Sequence, residues 1–249
     1  MKRLDFKHWT QLIVVLTIAV GLKLYYSAAS VNDLRWVLAP TAWLAQAITG
    51  TVFEFEPYAG YMSFDRRFVI AAACSGVNFL IISFLVLTIG RLWRHRQRRA
   101  RWSFIPIAFA VAYLTTIAAN TTRISTAILL RPFTSDIKLL NAEQIHRVEG
   151  IIVYFGFLLV LFIASERIDK GYEIDHGRRP SLLRRSLLPL AIYYAATLGI
   201  PLVNGAYREP DYWEHSMFVL LTPLLLILPL AALPYLKDNS THGATPTDF

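Results

Sequence analysis

Apolar residues in this chain come in long runs rather than alternating with polar ones. A membrane-spanning helix needs about 20 mostly apolar residues, and six runs reach that length: roughly 9–27, 68–92, 103–130, 147–165, 186–206 and 216–236. A seventh stretch, LRWVLAPTAWLAQAITGTVF (34–53), is apolar but interrupted by Pro40 and Gln46. The pattern predicts an all-α, polytopic transmembrane helical bundle with about six spanning helices, forming a single domain over 1–249 with a polar tail at 237–249. The first run ends in SAAS, so a signal peptide cut near Ser27 and Ala29 is an alternative. Its continuation into a polytopic chain favours a retained helix.

Charge sets the direction of threading. The 249 residues are 55% hydrophobic and only 17% charged, with a mean hydropathy of +0.43, which excludes an ordinary soluble domain. The net charge of +8 does not indicate nucleic acid, because the basic residues cluster beside the apolar runs. RLWRHRQRRAR (91–101) carries six arginines, and 165–185 carries five arginines and a lysine. Positive loops stay in the cytoplasm, so with Lys2, Arg3, Lys7 and Lys237 both termini are expected inside. A crossing at 34–53 would put the arginine-rich 91–101 loop outside, so that segment is expected to be interfacial or re-entrant, with Trp36 and Trp43 near the headgroups. The loops at 54–67, 131–146 and 207–215 then face outward. In the first of them, turn chemistry is the expected reason for Pro57 and Gly60, ahead of partner binding by Glu54, Glu56, Tyr58 and Tyr61.

Polar groups inside the spans are the candidate chemistry. Ionisable groups there are costly and are functional candidates by default. In AYLTTIAANTTRISTAILL, Tyr113, Thr116, Asn120 and Arg123 recur at helical spacing and share one face. Arg123 can snorkel to the nearer interface, but Asn120 on the same stripe argues for an inward polar pocket. Cys74, the single cysteine, lies in AAACSGVNFLIIS about six residues into its run, roughly 9 Å deep. Asn78 is one turn further, and Gly76 allows close approach. Alone, a buried thiol is packing material. His8, His95, His176 and His242 fall on the cytoplasmic side, leaving His146 and His215 outside. His146 opens its span at the level of Cys74 and Arg123, and Glu149, three positions on, can orient it or pair with Arg147 instead. A lone histidine and glutamate supply too few ligands for a metal, and no cofactor motif is present.

Thiol, guanidinium and imidazole from three helices at one level suit a cysteine nucleophile, a cation for a developing oxyanion and a general acid–base. AACSGVNFLI, NTTRIS and HRVEG resemble, in order and spacing, the three motifs of the exosortase/archaeosortase family over about 20–165. The small size and FEPYAGYMS are most similar to the exosortase K subgroup. The resemblance implies a transpeptidase of the bacterial inner membrane that cleaves C-terminal sorting tails (PEP-CTERM-like) of exported proteins outside the cytoplasm and passes them to an unknown acceptor. It implies Cys74 as nucleophile with Arg123 and His146, while Asn78 and Asn120 accompany the motifs. No additional periplasmic domain is expected after the last span. Two alternatives stay open: a transporter, which would need a polar path that the hydrocarbon of FLIISFLVLTI and GFLLVLFIA does not offer, and a non-catalytic scaffold for envelope or exopolysaccharide assembly.

Overall fold

The computed structural model describes residues 6–94, 101–134, 142–170, 182–203, 205–209 and 211–241. The arginine-rich 95–100 with His95, the segments 135–141 and 171–181 with His176, and the tail beyond 241 with His242 lie outside the described residues. The chain divides into two compact units, Met1–Ile168 and Asp169–Phe249.

The first unit holds α1 (Phe6–Ala28), α2 (Arg35–Thr49), strands β1 (Phe53–Glu56), β2 (Gly60–Ser63) and β3 (Val69–Ile70), then α3 (Val77–Arg94), α4 (Phe104–Thr134) and most of α5 (Ala142–Lys170). The second holds α6 (Leu182–Tyr194), a π-helical turn at Ala195–Gly199, α7 (Ile200–Val203) and α8 (Tyr212–Thr241). Within that second unit α6 packs on α8, and Tyr194 Oη donates to the Leu220 carbonyl at 2.7 Å. Six helical segments among the described residues are long and apolar enough to cross a membrane: His8–Ala28, Ala72–Arg94, Phe104–Arg131, Gln144–Asp169, Leu183–Val203 and Tyr212–Pro229. The protein is therefore an all-α, multi-pass membrane protein, with one shorter helix that does not span.

That shorter helix is α2, whose 15 residues reach only about 22 Å at 1.5 Å per residue, short of a ~30 Å hydrocarbon core. It ends where Gly50 turns left-handed (φ 71°) and its N–H caps the Gln46 carbonyl. Pro40 lies within it and has no N–H for the Trp36 carbonyl four residues back. The Tyr113 hydroxyl fills that vacancy at 2.7 Å, and the Trp36 and Tyr113 rings stack with centroids 5.5 Å apart. Of the two tryptophans, Trp43 is exposed and Trp36 packs on α4.

Residues 53–70 fold into a three-stranded antiparallel sheet in the order β1-β2-β3, which the turn-based reading of 54–67 did not anticipate. β1 pairs with β2 from Phe53 opposite Ser63 to Glu56 opposite Gly60. Gly60 has φ +114°, and a Cβ there would run into the Ile70 carbonyl oxygen, so this position accepts glycine alone. At the β2–β3 turn, the Ser63 hydroxyl donates to Asp65 Oδ1 at 2.7 Å and holds that carboxyl below its ordinary range. One apolar core joins Leu34, Val37 and Leu38 with Ile70, Val77, Ile81, Ile117 and Ile124, and Cys74 packs against it. Another, around Val15, Leu80, Phe84 and Ala112, joins α1, α3 and α4.

Candidate active site

The segment carrying Cys74 is not a continuous helix. Ala71 leaves β3 extended (φ −81°, ψ 175°), and Ala72–Cys74 form one 3-10 turn in which Cys74 N–H donates to the Ala71 carbonyl at 2.8 Å. Gly76 then turns left-handed (φ +73°), and α3 begins at Val77. This corrects two expectations. Cys74 sits at the mouth of its span rather than six residues inside it, and Asn78 does not lie one turn along the same helix, because Gly76 breaks the helix between them. A Cβ on Gly76 would stand 3.2 Å from Thr116 Cγ2 and 3.5 Å from Asn120 Cγ, so glycine is what lets this loop press on α4.

The polar stripe of α4 divides into two parts. Tyr113 is occupied with Trp36, and Thr116 bonds back to the Ala112 carbonyl at 2.8 Å; both are structural. Asn120 is fully buried and uses both ends of its amide. Its Nδ2 donates to the Cys74 carbonyl at 2.5 Å, while its Oδ1 accepts from the Tyr154 hydroxyl of α5 at 2.9 Å. A buried amide left unpaired would cost about 1–3 kcal/mol, so satisfaction at both ends fixes its orientation.

Arg123, one turn beyond Asn120, is drawn toward α5 by the same tyrosine. Its guanidinium carbon lies 5.4 Å from the centre of the Tyr154 ring, a cation–π distance. A Cβ on Gly150 would touch Arg123 Cδ at 3.5 Å, so α5 offers a bare backbone where the side chain passes. Arg123 Nε is buried without a hydrogen-bond partner, leaving a donor uncommitted. Tyr154 also stacks on Phe79, with centroids 4.9 Å apart.

His146 and Glu149 form a separate pair, with Nδ1 and Oε2 3.4 Å apart. The histidine is half exposed and the glutamate nearly buried, with side-chain exposures of 51% and 12%, so the carboxylate is the fixed member and the imidazole the accessible one. The structure links Cys74 to Asn120 by a hydrogen bond and Asn120 to Arg123 through Tyr154. His146 joins them only along α5, four residues or about 6 Å of helix from Gly150. Asn78 is exposed and faces α1, where Lys23 Nζ donates to its Oδ1 at 3.0 Å. Among the described residues, no group of three or more His, Cys, Asp and Glu is placed to hold a metal.

Lys23 and Tyr154 are the residues that sequence reasoning missed. A lysine inside the first span was a visible cue, since an intramembrane charge is a functional candidate. Tyr154 offered none, because one tyrosine in an apolar run reads as packing.

A family model described as Transmembrane exosortase matches residues 4–164. No curated protein and no solved structure matches the chain.

Proposed function

The chain belongs to the transmembrane exosortase family, and on that premise we propose that it is a cysteine transpeptidase, most similar to the exosortase K subgroup, that cleaves C-terminal sorting tails of exported proteins. The observation that carries this reading is the assembly around Asn120, which ties the backbone of Cys74 to the tyrosine supporting Arg123. In this reading the nucleophile and the cation are linked through one buried, doubly hydrogen-bonded amide and the ring beside it.

In the proposed reaction the Cys74 thiolate attacks the carbonyl carbon of the scissile peptide, and the carbonyl electrons pass to oxygen. The free Nε–H of Arg123 faces that developing charge. Collapse expels the amine, which takes a proton from His146, and leaves a thioester on Cys74. His146, now neutral and steered by Glu149, removes a proton from the incoming acceptor, which attacks the thioester carbonyl and expels the Cys74 thiolate, leaving His146 protonated for the next cycle. Apolar walls around Cys74 slow competing hydrolysis. The loop charges favour both termini in the cytoplasm and Cys74 on the outer side, and the family resemblance implies that the membrane is a bacterial inner membrane. The partners are then tail-bearing exported proteins, membrane lipids and an acceptor of unknown chemistry.

The test is co-expression with a tail-bearing protein and mass spectrometry of its C-terminus. Cys74→Ala is expected to leave the tail intact. Processing that continues in this variant sinks the assignment.

A further inference from the structure

We propose that the open edge of β3 binds the substrate as an added strand, pairing with the extended polypeptide segment that precedes the scissile bond. This rests on the reading of Cys74 as nucleophile and adds how the peptide is presented to it.

Alternation along β3 identifies which backbone groups are open. Phe68 turns toward β2: its N–H donates to Ser63 Oγ at 3.0 Å and its carbonyl accepts from Ser63 N–H at 2.9 Å. Ile70 lies opposite Tyr61 on the same side. Successive residues of a strand direct their N–H and C=O to opposite edges, so Val69 and Ala71 point away from β2. Arg67 has the same sense, and its carbonyl accepts from Arg131 Nη1 of α4 at 3.3 Å, which shows that this edge faces the C-terminal end of α4. No strand pairs with it among the described residues. The Ala71 carbonyl is taken by Cys74 N–H, leaving Val69 N–H, Val69 C=O and Ala71 N–H. These are groups at the two-residue spacing of a β-ladder, the template used in strand addition.

Space and position agree with that use. A cavity of about 400 Å³ lies between the β2–β3 turn and α4, lined by Asp65, Arg67, Phe68, Ile128 and Arg131. Phe68 and Arg131 stack across it, with the guanidinium 4.9 Å from the ring centre. Arg131 is eight residues beyond Arg123, or about 12 Å along the helix, so the cavity lies toward the end of α4 that the loop charges assign to the outside. A tail whose apolar span follows the scissile bond must enter with its preceding segment on that outer side. From Ala71 the chain reaches Cys74 in three residues, about 6 Å at 3-10 rise, so a peptide paired along Val69 and Ala71 brings its next carbonyl to the thiol. Extended pairing also exposes every second side chain to one face, which makes specificity a matter of alternate positions.

Two measurements test this. Because Cys74 is the single cysteine, Cys74→Ala gives a cysteine-free background for Val69→Cys, to be oxidised against a co-expressed tail-bearing protein carrying one cysteine at successive positions before its scissile bond. Disulfides at alternate positions are expected; disulfides at consecutive positions, or at none, overturn the proposal. Ala71→Pro removes one open N–H at a φ of −81° that proline accepts, with Ala71→Val as control. The proline is expected to raise the half-saturating substrate level about 3- to 10-fold with unchanged thermal stability, and equal behaviour of the two variants counts against strand addition. If Cys74→Ala still processes tails, the nucleophile reading fails while the disulfide pattern still reports on the strand.

Discussion

Replacing Tyr154 by phenylalanine removes one oxygen and leaves the rest of the side chain in place. The ring keeps its stacking on Phe79 and its face toward Arg123, so the change isolates the hydrogen bond to Asn120 Oδ1 at 2.9 Å. That acceptor is fully buried, and losing its donor strands it at a cost of about 1–3 kcal/mol. The amide recovers part of this by rotating, which releases its other bond, to the Cys74 carbonyl. The loop above α3 then loses its side-chain hydrogen bond to α4 and keeps only its apolar packing and its own turn hydrogen bonds. If 1–2 kcal/mol of this falls on the reactive geometry, the rate of tail cleavage drops about 5- to 30-fold. A double-mutant cycle with Asn120→Ala separates this from general damage. Once the amide is gone, Tyr154→Phe has no partner to strand, so the two changes together cost at least ~1 kcal/mol less than their sum. Two assays read it: initial cleavage rate, and alkylation of Cys74 by iodoacetamide, which needs no substrate and reports one site because the chain has one cysteine. Additivity within ~0.5 kcal/mol in both assays refutes the linkage.

Two further changes probe the supports of the same layer. Gly60→Ala forces an alanine into φ +114° against the Ile70 carbonyl. It is expected to cost at least ~2 kcal/mol and to lower the thermal midpoint in detergent, and a wild-type midpoint counts against the sheet as described. Arg123→Lys keeps the charge but loses the planar group over Tyr154 and the Nε donor. Cleavage is expected to fall at least ~10-fold with normal expression, and an unaffected rate points back to an arginine that merely snorkels.

Particular residues show where sequence reasoning stopped. The period-2 alternation of FEFE (53–56) was a strand pattern in plain sight, yet four residues beside a proline also fit a turn, and only pairing with 60–63 decides between them. The stripe from Tyr113 to Arg123 was legible because helical spacing puts those residues on one face. Its division into structural and site halves was not, since that depends on Pro40 of another helix leaving a carbonyl for Tyr113. Cys74 and Asn78 at spacing four read as one helical face, and a single left-handed glycine between them removed that relation.

The spans were determined by the sequence alone, because the requirement for crossing hydrocarbon is local: enough consecutive apolar residues with their backbone bonds closed within the helix. The motifs around Cys74, Arg123 and His146 were likewise readable as words. Their connection was decided only by the tertiary structure. Asn120 reaches the Cys74 carbonyl across 46 residues and Tyr154 across 34, and contacts of that kind have no period along the chain. They exist because a buried amide must find a donor and an acceptor wherever the packed helices bring one within reach.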